Sequence, residues 1–122
     1  MEQVIFNLIR LQNQFRILHW QTQSYAQHKA FGDIYDALDG HIDTLVEVHQ
    51  GKYGRIIFNM PFNIELVNFD DFDMTSVLEE ATDYLSTEFG SNLDDVKDTD
   101  CLNIRDEILS ELNKLKYLLT LS

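Results

Sequence analysis

Four histidines and a row of carboxylates are the residues of this chain whose types and spacing suit chemistry. His19 and His28 flank a short polar stretch, and Asp36, Asp39, Asp43 and Glu47 follow, interleaved with His41 and ahead of His49. Asp43 and Glu47 are four residues apart, a step that on a helix brings two carboxylates onto one cation. Imidazole nitrogen with carboxylate oxygen is a mixed donor set suited to Fe(II), Mn(II) or Zn(II). With open coordination positions, such a set lets O₂ or H₂O₂ reach ferrous iron. The remaining candidates read as structural. His41, at the edge of an apolar stripe, is expected to be a packed or hydrogen-bonded core histidine, and His49 to be favoured by a helix C-terminal dipole. Cys101 has no histidine near it in sequence and is expected to pack as a small apolar residue. The acidic run Asp94, Asp95, Asp98 and Asp100 fits a solvated helix end and cap better than the lining of an ion-attracting pore.

Helices must carry these groups. Val4, Leu8, Leu11, Phe15 and Leu18 recur at steps of three and four, predicting an amphipathic helix that runs to about Thr22. Phe6, Ile9, Ile17 and Trp20 form a second stripe on its far side, as expected of a helix standing between its own core and something else. After a turn at residues 24–27, a second helix is expected over residues 28–50 with Ile34, Leu38, Ile42 and Leu45 inward and Gly51 closing it. Asp36, Asp39, Asp43 and Glu47 then share one face, within roughly 80° of each other and opposite the apolar stripe. They therefore face solvent or another subunit, not the interior of a single bundle.

Gly54, Asn59, Pro61, Asn63 and Asn68 mark a connection long enough to cross from one end of a bundle to the other. A third helix is expected from Asp73, capped by Asp73 or Thr75 and carrying Val77, Ala81, Tyr84 and Leu85. Phe89, Leu93 and Val96 keep the spacing and extend it through Gly90 to about Lys97. Residues 98–100 then cap a fourth helix with Leu102, Ile108, Leu112, Leu115, Leu118 and Leu119 inward. Four matched helices with one long crossover between the second and third describe a ferritin-like four-helix bundle, a single all-α domain over residues 1–122.

Composition agrees. A chain of 122 residues has room for one core, and 44% hydrophobic residues are too many for a disordered one. Twenty-one Asp and Glu against nine Lys and Arg leave a net charge of −12, which excludes nucleic acid and anionic membrane surfaces as partners. One cysteine cannot form an internal disulfide, no apolar run is long enough to span a membrane, and the opening Met1-Glu2-Gln3 lacks a signal-peptide pattern. The expected setting is cytoplasmic.

The pair His19-Trp20, then His28, then Gly40-His41-Ile42-Asp43-Thr44-Leu45-Val46-Glu47, with fourteen residues between His28 and Asp43, resembles the Dps-type miniferritins, ferritin-like iron-oxidising cage proteins. The closing stretch from Glu111 to Leu119 is similar to the last miniferritin helix, so the likeness spans most of the chain, with its specific part between Leu18 and Glu47. The resemblance implies an iron site between two subunits, with His19 and His28 from one and Asp43 and Glu47 from the other. Trp20 would then pack beside the centre, and Asp33, Asp36 and Asp39 are further ligand or supporting candidates. It also implies ferroxidase activity, iron as the metal with zinc or manganese as alternatives, and a homo-oligomer in the form of a dodecameric cage, of which a dimer is the least the site needs. DNA binding is not carried over to so acidic a chain.

Two departures stand out. Eight residues separate His19 from His28 where the family usually has eleven, and Gly32 stands where an Asp commonly follows the second histidine by four, with Asp33 beside it. They motivate an alternative, a non-catalytic ferritin-like bundle with a structural or interaction role. Asp106, Glu107 and Glu111 lack the partnering histidine that a di-iron site within one bundle uses.

Overall fold

The computed structural model describes residues 1–59 and 61–121. The described residues form four α-helices, α1 (Glu2–Gln21), α2 (Tyr25–Tyr53), α3 (Met74–Thr87) and α4 (Thr99–Leu119), with single 3₁₀ turns at Phe69–Asp71 and Phe89–Asn92. No strand occurs among the described residues. The chain is an all-α four-helix structure, as its periodicity requires.

One core joins all four helices. Phe15 and Leu18 of α1, Phe31, Leu38 and Leu45 of α2, Leu85 of α3, and Ile108 and Leu112 of α4 are all buried in it. The two long pairings are α1 with α2 and α2 with α4, and α3 packs on α4. At 29 residues, about 43 Å, α2 is the spine that the others lean on.

Three boundaries differ from expectation, each for a local reason. The turn before α2 is shorter, because the Ser24 side chain accepts from the Gln27 amide and starts the helix at Tyr25. The helix also runs past Gly51, an interior position, and ends at Gly54, whose positive φ of 88° suits a residue without a Cβ. The third helix is capped by Asp73, which accepts from Ser76, but it stops at Thr87 and does not continue to Lys97. Here Gly90, Ser91 and Asn92 are poor helix formers, and Ser91 Oγ donates back to the Glu88 carbonyl. The Asp94 carboxylate accepts from the Val96 and Lys97 amides, closing a turn in place of helix. Phe89 still reaches the core, from the 3₁₀ turn, whereas Val96 is left 83% exposed.

The crossover between α2 and α3 lies along α1. Gln14, buried, donates Nε2 to the Val67 carbonyl at 2.8 Å and accepts from the Val67 amide at 2.9 Å. One turn-pair further on, Gln21 does the same with Asn68 Oδ1 and the Phe69 amide, at 2.9 and 2.7 Å. Phe6 meets Phe62 edge-on with ring centroids 5.4 Å apart. Part of the second apolar stripe of α1 is thus covered by the chain's own crossover, while Trp20 at its far end remains exposed. Among the described residues no helix is long and apolar enough to cross a membrane.

Candidate functional site

The last turn of α1 carries His19 and the first turn of α2 carries His28, and the short turn between them folds the two rings together. They stack at a centroid distance of 3.9 Å with planes 16° apart. The backbone locks them reciprocally: His19 Nδ1 donates to the His28 carbonyl at 2.6 Å, and His28 Nδ1 donates to the His19 carbonyl at 2.8 Å. A carbonyl can only accept, so each neutral ring carries its proton on Nδ1 and keeps its lone pair on Nε2, the form that ligates a metal.

Gly32 lets the His19 ring lie there. A Cβ at this position would stand 2.9 Å from His19 Cε1 and 3.0 Å from Nδ1, so a side chain here would make the His19 ring shift. Around the pair opens a cleft of about 470 Å³ bordered by Arg16, Trp20, Tyr25, Lys29, Tyr35 and Asp36. The Arg16 guanidinium lies 4.5 Å over the Tyr35 ring and 5.7 Å over Trp20, which fixes that wall by cation–π attraction. Asp33 also borders the cleft, but its carboxylate pairs with Lys29 at 3.5 Å.

The oxygen candidates are elsewhere on the same face. Asp36, Asp39, Asp43 and Glu47 are all exposed on α2, on the side away from its buried stripe. Asp39 is tied to α1 by the Gln12 amide, which donates to it at 3.0 Å. Asp43 is fifteen residues beyond His28, about 22 Å along the helix. The structure therefore brings His19 and His28 together but leaves Asp43 and Glu47 far from them within one chain. Among the described residues no three His, Cys, Asp or Glu side chains are placed to hold an ion.

Residues 19–119 match DUF5856, a family of unknown function. The chain belongs to this family. No curated protein and no solved structure matches it. The DUF5856 match begins at His19, so the stacked pair, the outward carboxylates and the whole of α2, α3 and α4 fall within it.

At the opposite end of the DUF5856 fold, an ionic cluster joins α2 to the start of α4. Asp98, read from sequence as part of a solvated cap, is 2% exposed. It accepts from the Asp94 amide at 2.8 Å, from the Tyr53 hydroxyl at 2.5 Å and from Lys52 Nζ at 2.9 Å. Its capping side chain thus turns inward, and these donors, the Asp94 amide foremost, hold its carboxyl well below the usual carboxylate range. Lys52 also binds Asp100 at 2.9 Å and the Lys97 carbonyl, and the two carboxylates, Asp100 first, push its ammonium above the ordinary lysine value. The sequence signal was the facing pair Lys52-Tyr53 at the end of one helix and an Asp at the start of another.

The other readings divide. His41 Nδ1 lies 3.2 Å from the Glu107 carboxylate on α4, at the partly exposed edge of the bundle and outside the core. The His49 Nδ1 is buried with no partner among the described residues, its ring rests on Tyr53 at 4.8 Å, and desolvation by burial lowers its pKa. Cys101 is fully buried in the first turn of α4, and desolvation pushes its thiol up, away from reactivity.

Proposed function

We propose that this DUF5856 chain is a ferritin-like protein that binds and oxidises iron between two copies of itself, in the manner of a Dps-type miniferritin. His19 and His28 of one copy supply nitrogen, and Asp43 and Glu47 of the other supply oxygen. The observation that supports it most is the Nδ1-to-carbonyl locking of both rings, because it leaves two Nε2 lone pairs on the surface and no second role for them. The carboxylates share that surface, and antiparallel pairing of α2 with its copy would lay residue 28 of each chain against residues 43–47 of the other.

The donor set fits iron. Two carboxylates offset the charge of Fe(II), two imidazoles add nitrogen donors, and the carboxylates favour the harder Fe(III) product, which lowers the cost of losing an electron. With H₂O₂ the balance is two Fe(II) giving one electron each, the peroxide taking both electrons and two protons to leave two waters. Zn(II) and Mn(II) suit the same ligands and are expected to compete. Trp20, exposed at the cleft edge, stands where it can give up an electron if the oxidant escapes the iron. Nothing in this role asks for nucleic acid or membrane, and the homo-oligomer is at least a dimer and, by the resemblance, a cage.

Anaerobic Fe(II) titration of the purified protein followed by O₂ or H₂O₂ tests the reading. Ferric absorbance should rise in the wild type and fall by about 10- to 100-fold in His19→Ala and in Asp43→Asn with Glu47→Gln. Equal rates in wild type and variants reject the ferroxidase role. Stoichiometric metal binding without oxidation selects the non-catalytic bundle instead.

A further inference from the structure

Of the large apolar side chains left exposed among the described residues, five lie together in the middle of the crossover. They are Ile57, Phe58, Phe62, Leu66 and Val67, between 37 and 64% exposed. The segment is held in place while these side chains face out. At one end the Ile56 amide donates to Gln50 Oε1 at 3.1 Å, and at the other Gln14 holds both backbone groups of Val67. Between them Phe62 packs on Phe6 and on Phe58, with ring centroids 5.4 and 4.8 Å away. A connecting segment is ordinarily rich in polar turn residues, so a fixed apolar patch on one marks a contact site, and its anchoring lowers the ordering cost of contact.

Charge and order along the segment say what meets it. Residues 56–64 carry no charged side chain in a chain of net charge −12, and the run is bounded by Arg55 on one side and Glu65 on the other, which cancel. Both are exposed, and neither has an ion pair among the described residues. Read inward from its two ends the segment matches itself: Arg55 with Glu65, Ile56 with Ile64, Phe58 with Phe62. A two-fold contact demands such matching, because residue i then meets residue j and j meets i. A surface shaped for a different protein has no cause to be self-complementary.

We propose that the crossover is a self-association surface whose partner is a second copy of the chain, the two segments lying antiparallel in the register that sets residue 55 against residue 65. Phe58 of each copy then meets Phe62 of the other, and an Arg55–Glu65 pair closes each rim. Two chains of net charge −12 repel, and they approach at least cost along this neutral, apolar segment. The five side chains expose roughly 400 Å². That is short of the roughly 800 Å² per partner of a stable complex, so the contact is weak and reversible, with a Kd on the order of 100 µM. It uses neither the histidines nor the α2 carboxylates, and so forms without metal.

Sedimentation of the full chain in the presence of a chelator, from about 10 µM to about 1 mM, tests it. The wild type should pass from monomer to dimer over this range, and Ile57→Asp, at the most exposed of the five side chains, should stay monomeric. Arg55→Glu and Glu65→Arg each set like charges opposite at both rims and should weaken association by about tenfold, whereas the double variant should recover the wild-type affinity. Glu65→Arg makes the chain less negative, so a weaker dimer there reports the local pair and not the net charge. A wild type that stays monomeric to about 1 mM overturns the proposal. So does a dimer indifferent to Ile57→Asp, or a double charge exchange that fails to recover, since either places the contact elsewhere on the chain.

Discussion

Replacing Gly32 by Ala separates a packing glycine from an incidental one. In the middle of a helix, Gly→Ala ordinarily stabilises by about 1 kcal/mol, because alanine loses less backbone freedom on folding. Gly40, eight residues along the same helix, has nothing within 4 Å of an added Cβ and should show that gain in full. At Gly32 the new Cβ would come within 2.9 Å of the His19 ring, so the ring must shift. At most the shift breaks the Nδ1 bond to the His28 carbonyl, worth about 1 kcal/mol, and the stack on His28, worth about another 1 kcal/mol. The two losses together exceed the backbone gain by about 1 kcal/mol, leaving Gly32→Ala up to about 2 kcal/mol less stable than Gly40→Ala. For a chain of this length that is up to about 8 °C between the two thermal midpoints. Melts followed by circular dichroism measure it, and the His19 and His28 ring resonances should lose their mutual ring-current shifts in Gly32→Ala alone. If Gly32→Ala melts as high as Gly40→Ala, the close stacking of His19 over α2 is wrong.

Asp98 should make stability pH-dependent on the acid side. Its folded carboxyl is depressed, so its contribution is complete above the ordinary value of 3.8 and is lost as pH falls through the folded value. Between neutral pH and about pH 3 the thermal midpoint should drop more in wild type than in Asp98→Asn, and parallel pH profiles would refute the buried ionic cluster. Replacing Gln14 by Leu removes both hydrogen bonds to Val67 and should cost about 2 kcal/mol, with faster hydrogen exchange at the Val67 amide as its local signature.

Long periodic segments were legible and local competitions were not. The buried set of α1, from Val4 to Phe15 and Leu18, and that of α2, from Ile34 to Leu45, fall at the steps of three and four that the sequence displays. A stripe over five turns has few alternative explanations. At the end of α3, Phe89 and Leu93 keep the same spacing, yet a 3₁₀ turn buries Phe89 equally well. The outcome there rests on Ser91 and Asp94 satisfying backbone groups locally. Spacing also identified His19 and His28 as candidates, but not their stacking, which depends on ring orientation and on the missing Cβ at Gly32. Asp98 reads from sequence as solvated because a charge run beside a helix start usually is. Its burial follows only once Lys52 and Tyr53 arrive from a helix 45 residues away in sequence.

The negative charge of the chain is therefore of two kinds. Asp98, Asp94 and Asp100 are engaged by amides, Tyr53 and Lys52, and their charge helps join α2 to α4. Asp36, Asp43 and Glu47 have no such engagement among the described residues and lie on one exposed helix face. Folding accounts for the first set and leaves the second unexplained. An uncompensated carboxylate row on the helix that begins at His28 is a surface where a second copy of the chain is repelled within a Debye length of about 8 Å until a cation intervenes. On the proposed reading, then, the metal and the subunit contact are linked equilibria: whatever strengthens one must strengthen the other by the same factor.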